Sequence, residues 1–364
     1  MHPNCKKPNP AGILLSEMRF ESPVNAVFRL FLTRALLLSV ACALLCFGTA
    51  TASKAQDDET IRTTVSLVQL NIGVVDQQGR AVTSLSRNDF AVYEDGVKQS
   101  ISSFEPAFAP FSLVLLLDMS GSTVSFRQQL KLASTRFLDA LAPDDRVAVV
   151  QFNAKIKKVS DFTTDRRQSA YAIDIADGAG ETYFYDALKY ALKELEKEGK
   201  RRKAIVTLTD GLDTEMRNQD RRVVASAQTD AEALAAIKPQ ASASLNEVLN
   251  HADRLGVTIY PLALPSGDPK RLPLPGPDIT GIYAAARNRL QSVADRTGGR
   301  LTEINRLDQM ARLYAEVAAN LRTLYTVAYQ APVDRPKDGR WHEIRVEVTH
   351  PDLIARTRPG YFAR

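Results

Sequence analysis

The strongest constraint on the fold of this chain is the run Phe111-Ser112-Leu113-Val114-Leu115-Leu116-Leu117, which stops abruptly at Asp118-Met119-Ser120-Gly121-Ser122-Thr123. A short bounded apolar run without alternation predicts a strand buried on both faces, as in parallel sheets. Oxygen-bearing side chains just beyond such a strand lie where open α/β sheets bind their ligands. The D-x-S-x-S spacing sets one carboxylate and two hydroxyls at alternate positions, which point the same way in an extended turn. Three hard oxygens suit Mg²⁺, Mn²⁺ or Ca²⁺ better than a soft metal.

From Phe111 onward, strand patterns alternate with helical ones, which argues for βαβ units and a mainly parallel sheet. Arg146 to Phe152 reads as a second core strand. Lys155 to Val159 reads as an edge strand guarded by lysines. Ala204 to Leu208 reads as a third core strand, ending in Thr209-Asp210-Gly211. A loop from Asp177 to Thr182 leads into a helix from about Tyr183 to Glu198. The charge run Lys200-Arg201-Arg202-Lys203 reads as a solvated loop. Ser244 with Glu247 suggests a capping box for a helix ending before Gly256. Pro261 signals a strand end or irregularity. A Pro-rich loop over 265–277 precedes a helix from Ala285 to Thr297, and Leu307 to Leu324 forms the last strong helix.

The flanks have a different character. Val65 to Val75 starts with strand alternation, and Glu94-Asp95-Gly96 between two apolar runs signals a hairpin. The tail returns to strands at Tyr325 to Gln330 and Trp341 to Val348. The expected layout is a β-rich flank at 60–106, an α/β domain at 111–322, and a β-rich flank at 323–364 pairing with 60–106. The expected class is therefore α/β, a doubly wound and mainly parallel sheet with helices on both faces, plus a small β-sandwich-like unit from the flanks.

Residues 1–55 stand apart. Arg29 and Arg34 precede an apolar run from Ala35 to Phe47 and a small-residue site at Ala50-Thr51-Ala52. This pattern predicts export through a secretory signal peptide, with Met1 or Met18 as the start. The alternative is an uncleaved anchor in the inner membrane, for which the uncharged stretch is marginally long. The expected location is periplasmic or secreted, with membrane contact only through this segment. Of 47 basic and 42 acidic residues, six and two lie in 1–55, leaving 41 basic and 40 acidic in the body. A near-neutral body gives no support to a nucleic-acid partner. Cys5, Cys42 and Cys46 are the only cysteines, so the body has no disulfide framework, thiolate nucleophile or cysteine zinc site.

Asp118-x-Ser120-x-Ser122, then Thr182, then Thr209-Asp210-Gly211, resembles the metal-ion-dependent adhesion site of von Willebrand factor type A domains. Tyr185-Asp186-Ala187-Leu188 follows that pattern too. The stretches DFAVYEDG at Asp89 and RPGYF at Gly360 resemble secreted bacterial proteins that carry this domain with β extensions. The resemblance implies that Ser120, Ser122 and Thr182 bind a divalent cation directly, with Mg²⁺ first and Mn²⁺ or Ca²⁺ as alternatives. Asp118 and Asp210 would act through water or by ligand exchange. It further implies a non-enzymatic module that captures an Asp or Glu of a protein ligand. Glu181 departs from the family, which has a small residue before the threonine, and is expected to face solvent. Met119 and Thr123 are not the commonest choices around the serines.

Each residue has a plainer role available: Asp118 and Asp210 as helix caps, the hydroxyls as turn residues, Asp186 as a structural hydrogen-bonder. His251, His342 and His350 are expected at the surface. The stretch 213–241, with Asp213, Glu215 and Asp220, is expected at the same sheet edge, shaping or covering the binding face. Two other functions compete. One is a structural envelope or assembly protein with a non-functional metal site. The other is a metal-dependent hydrolase or phosphoryl-transfer enzyme. Against the latter, the chain has no P-loop, no G-x-S-x-G and no Ser-His pair marked by context. D-M-S-G-S-T is similar to aspartate-nucleophile phosphatases, but Ser120 stands where those need a second carboxylate.

Overall fold

A computed structural model describes residues 67–238, 242–266, 268–331 and 338–363. The segment read as a signal peptide or anchor, and all three cysteines, lie outside the described residues. Among the described residues no helix is long and apolar enough to cross a membrane.

The chain opens with strands β1 (Leu67–Val75), β2 (Phe90–Glu94), β3 (Val97–Gln99) and β4 (Ile101–Glu105). The alternating part follows as β5 (Phe111–Asp118), α1 (Arg127–Asp139), β6 (Arg146–Phe152), β7 (Ile156–Thr163), α2 (Arg166–Ile175), α3 (Phe184–Glu196) and β8 (Arg202–Thr209). It continues with α4 (Thr214–Val224), α5 (Asp230–Ala236), α6 (Ala243–Leu255), β9 (Thr258–Ala263), α7 (Pro277–Thr297), β10 (Thr302–Glu303) and α8 (Met310–Arg322). Four strands close it: β11 (Leu324–Gln330), β12 (Trp341–Val348), β13 (Ile354–Arg356) and β14 (Gly360–Phe362).

The central sheet has the order β10-β9-β8-β5-β6-β7, parallel except for the antiparallel edge strand β7. Every residue of β5 is buried. Leu113, Leu115 and Leu117 face a core with α1, α2 and α8, while Val114 and Leu116 face a core with α3, α6 and α7. That double burial is why the run shows no alternation. The strands from the two flanks form two antiparallel four-stranded sheets, β13-β1-β11-β4 and β14-β12-β2-β3. Leu70 and Ile72 of β1, Val92 of β2, Tyr325 and Val327 of β11 and Ile344 of β12 share one apolar core between these sheets.

Polar side chains join the two parts. Asn71 of β1 donates to Gly256 O at 3.1 Å and Thr258 Oγ1 at 2.8 Å, and accepts from Thr326 Oγ1 at 2.8 Å. Asp253 of α6 receives Arg296 of α7 on one carboxylate oxygen and Arg358 on the other. Arg296 itself packs against the rings of Trp341 and Phe362, 4.7 Å from each centroid.

The charge run at 200–203 departs from its expected role as a solvated loop. Arg202 and Lys203 begin β8 and are buried. Arg202 donates to the carbonyls of Pro106, Ala109 and Leu321 and lies 3.9 Å from the Phe111 ring centroid. Three carbonyls and an aromatic face replace water, so the charge tolerates burial. The cap of α6 is Ser242 rather than Ser244, its hydroxyl accepting from Leu245 N at 3.2 Å. Helix α7 begins eight residues earlier than expected, because Pro277 occupies its first turn, where the missing N–H costs nothing. Pro261 lies inside β9, where β10 pairs only with Leu262 and Ala263.

His342 also departs from expectation. Its side chain is only 15% exposed, and Nδ1 lies 2.7 Å from Asp95 Oδ2 and 3.5 Å from Glu94 Oε1. The imidazole thus ties β12 to the hairpin tip. There Asp95 and Gly96 both take positive φ, which the two-residue turn requires.

Candidate functional site

The ends of β5 and β8 lie side by side, since the two strands pair in parallel through Leu117 and Leu208. Asp118 and Asp210 therefore emerge at one sheet edge. Both are fully buried, as is Ser120; Thr182 is 5% exposed, and Ser122 is exposed. The cluster is closed on the sheet side and open where Ser122 meets solvent.

Each side chain is held by specific partners. Asp118 Oδ1 accepts from Ser120 N at 3.0 Å, and Oδ2 accepts from Thr209 Oγ1 at 2.7 Å. Thr209 Oγ1 in turn accepts from Gly211 N at 3.0 Å, which fixes the hydroxyl's direction. Ser120 and Ser122 share a hydrogen bond of 3.1 Å between their Oγ atoms. Thr123 Oγ1 donates to the carbonyls of Asp118 and Ser120 and pins the turn from inside. Asp210 Oδ1 accepts from Leu212 N at 3.0 Å, whereas the buried Oδ2 receives no hydrogen bond. Gly211 has φ +76°, and a Cβ there would come 2.7 Å from Leu290 Cδ1, so the turn after Asp210 needs glycine.

Thr182 arrives on a separate loop. Gly121 N donates to Gly180 O at 2.9 Å, which draws this loop onto the serine turn. A Cβ on Gly178 would meet Met119 O at 2.8 Å, so only glycine permits the approach. Arg127 bridges the two segments through Asp177 Oδ1 at 2.6 Å and Met119 O at 3.2 Å. Thr182 N donates to Thr214 Oγ1 at 2.9 Å, and Thr214 N donates back to Thr182 O at 2.8 Å. Asp213 caps α4 and also accepts from Phe184 N at 2.9 Å, joining the starts of α3 and α4.

The structure thus brings Asp118, Ser120, Ser122 and Asp210 together and sets the Thr182 loop against them. Glu181 is exposed and accepts from Tyr183 Oη at 2.7 Å. Asp186 is exposed and pairs with Lys189. Of the acidic residues expected to shape the binding face, Asp220 does not reach it: both its oxygens are engaged by Arg289 at 2.6 Å in a buried pair. Thr209 and Thr214 support the site as buried hydroxyls. In sequence, Thr209 showed only through its place beside Asp210, and Thr214 gave no signal at all.

Burial raises the Asp118 carboxyl to about 7, helped by the nearby charge of Asp210 and opposed by the Ser120 and Thr209 hydrogen bonds. Burial also raises Asp210, against the Ser122 hydroxyl, the Leu212 amide and the guanidiniums of Arg287 and Arg217. Two buried carboxylates with one oxygen lacking a donor form a site short of positive charge. An oxygen-only donor set of this kind fits a hard divalent cation.

Both carboxyls bind protons more readily in the folded chain than in the unfolded one. Stability in chelator is therefore fullest below the unfolded value of 3.8 and falls as pH rises toward the folded value near 7. A cation competes with those protons and offsets their loss. The expected result is a lower thermal midpoint at pH 8 than at pH 5.5 in chelator, with Mg²⁺ narrowing the gap. Scanning fluorimetry at the two pH values checks it.

Residues 113–212 match the family model of the von Willebrand factor type A domain. This stretch is that of a von Willebrand factor type A domain. A comparison with curated proteins finds no match. Among solved structures, the type V pilus tip protein Mfa5 of Porphyromonas gingivalis aligns through its vWF domain at 15% identity and TM-score 0.44, over 59% of this chain and 95% of that one. A von Willebrand factor type A protein from Catenulispora acidiphila aligns at 13% identity and TM-score 0.44, over 77% of this chain and 74% of that one. Proximal thread matrix protein 1 from the mussel byssus, described with a zinc-occupied MIDAS motif, aligns at 16% identity and TM-score 0.40, over 63% of this chain and 50% of that one. In chain order the matched stretch lies between β1–β4 and β11–β14.

Proposed function

We propose that the type A domain holds a divalent cation with Asp118, Ser120, Ser122, Thr182 and Asp210 and uses it to bind a protein partner through an Asp or Glu. The observation that carries this reading is the buried Asp210 Oδ2, which lacks a hydrogen-bond donor beside a second buried carboxylate. A bound cation supplies the missing positive charge and an open position for an acidic group. Mg²⁺ suits the donor set first, with Mn²⁺ or Ca²⁺ as alternatives. Asp118 and Asp210 orient and balance the ion. Ser120, Ser122 and Thr182 supply neutral oxygens, which leave the site attractive to an anion. This is binding without turnover.

The segment 1–55 is proposed to export the chain to the periplasm or medium, and the unit 111–322 is proposed as the functional domain, carried on the strands of 60–106 and 323–364. The test is retention of a partner on the immobilised full chain from envelope or culture-medium fractions. Retention is expected in Mg²⁺ and release in chelator, with loss in Ser122→Ala. Retention that survives chelator contradicts the reading.

A further inference from the structure

We infer that Arg217 is a second anchor for the partner's carboxylate, taking one oxygen while the cation takes the other; this rests on the metal-dependent reading above. Helix α4 starts four residues after Asp210, and its first turn is bonded to the site on two sides. Thr214 exchanges two hydrogen bonds with the backbone of Thr182, and Asp213 accepts from Phe184 N. Arg217 lies on that turn, its amide donating to Asp213 O at 2.8 Å.

The other guanidiniums around the site are engaged. Arg287 donates to the carbonyls of Asp210 and Leu264, Arg289 pairs with Asp220, and Arg127 pairs with Asp177. Arg217 is not. It is half-buried, and its Nε is buried without an acceptor, as are those of Arg127, Arg287 and Arg289; unlike theirs, its guanidinium makes no hydrogen bond, ion pair or ring contact with the described residues. Burying the Nε donor without a partner is unfavourable unless a ligand supplies one. Its charge acts on Asp210, so it stands within electrostatic reach of the site.

The charge balance points the same way. Asp118 and Asp210 together neutralise a divalent cation and Glu303, 3.6 Å from Arg287 Nε, balances Arg287, so Arg217 leaves the site one positive charge in excess. A guanidinium within electrostatic reach weakens metal binding until an anion arrives. A carboxylate that bridges ion and guanidinium satisfies both, and the planar guanidinium suits a carboxylate better than a point charge does. Capture and ion binding should therefore reinforce one another.

The test uses the full chain as wild type, Arg217→Gln and Arg217→Lys. The probes are Mn²⁺ alone and a fluorescent peptide with one glutamate among glycine and serine residues. Arg217→Gln is expected to take up Mn²⁺ as tightly as wild type or more tightly. It should lose about tenfold or more in Mn²⁺-dependent peptide binding, the scale of a charge-assisted hydrogen bond. Arg217→Lys should recover part of that loss. Undiminished peptide binding by Arg217→Gln overturns the inference and leaves the metal reading standing. Wild type that binds Mn²⁺ but not the peptide also overturns it. Wild type that binds no Mn²⁺ overturns both.

Discussion

Replacing Asp253 with alanine is expected to destabilise the folded chain by about 3–5 kcal/mol, the range for leaving buried charges without their partner. Asp253 is 6% exposed and is the carboxylate between Arg296 and Arg358. Arg296 packs against Trp341 and Phe362 and its side chain is only 12% exposed, so it has little freedom to swing to water. Arg358 is 5% exposed and also donates to the Asp253 backbone carbonyl, so it stays in place when the side chain is removed. Two guanidiniums would then face each other with no anion between them. The change also loosens the contact between α6, α7 and the C-terminal strands, so the effect reaches the whole unit. Asp253→Asn keeps the shape and one acceptor and should cost clearly less. Urea unfolding of the full chain checks both variants; a cost under about 1 kcal/mol for alanine would place this carboxylate among ordinary surface pairs.

The second large effect concerns the site. Asp118→Ala is expected to weaken divalent-ion binding by about 100-fold or more, the upper end for groups that orient or balance a bound metal. The carboxylate is buried at the end of β5, and it sets both the serine turn and the Thr209 hydroxyl. Its removal takes away one negative charge and leaves those two donors without an acceptor. In chelator, however, stability should change little. Leaving those two donors unpaired costs about 1–3 kcal/mol each, and this is offset by relief of two buried carboxylates that repel each other. A large loss of affinity with a small change in stability is the mark of a binding residue rather than a helix cap.

Much of this was legible because local patterns matched the tertiary arrangement. Leu113 to Leu117 read as a doubly buried strand, and Asp95-Gly96 as a tight turn. Asp118, Ser120 and Ser122 announced themselves as alternate oxygens after that strand. Other features depend on partners far along the chain. Arg202 looks like part of a solvated run until the carbonyls of Pro106, Ala109 and Leu321 surround it. Asp220 looks available until Arg289, 69 residues away, engages both oxygens. His342 looks like a surface residue until β12 pairs with β2 and sets it beside Glu94 and Asp95. The two short strands β13 and β14 carry too few residues for a period to show.

The most direct measurement is a Mn²⁺ titration of the full chain and its Asp118→Ala variant, followed by electron paramagnetic resonance of the free ion and calorimetry with Mg²⁺. The expected result is one divalent-ion site per chain in wild type, with binding about 100-fold weaker in the variant while its unfolding midpoint in chelator stays close to wild type. A wild-type chain that binds neither ion, or a variant that binds as tightly as wild type, would contradict it.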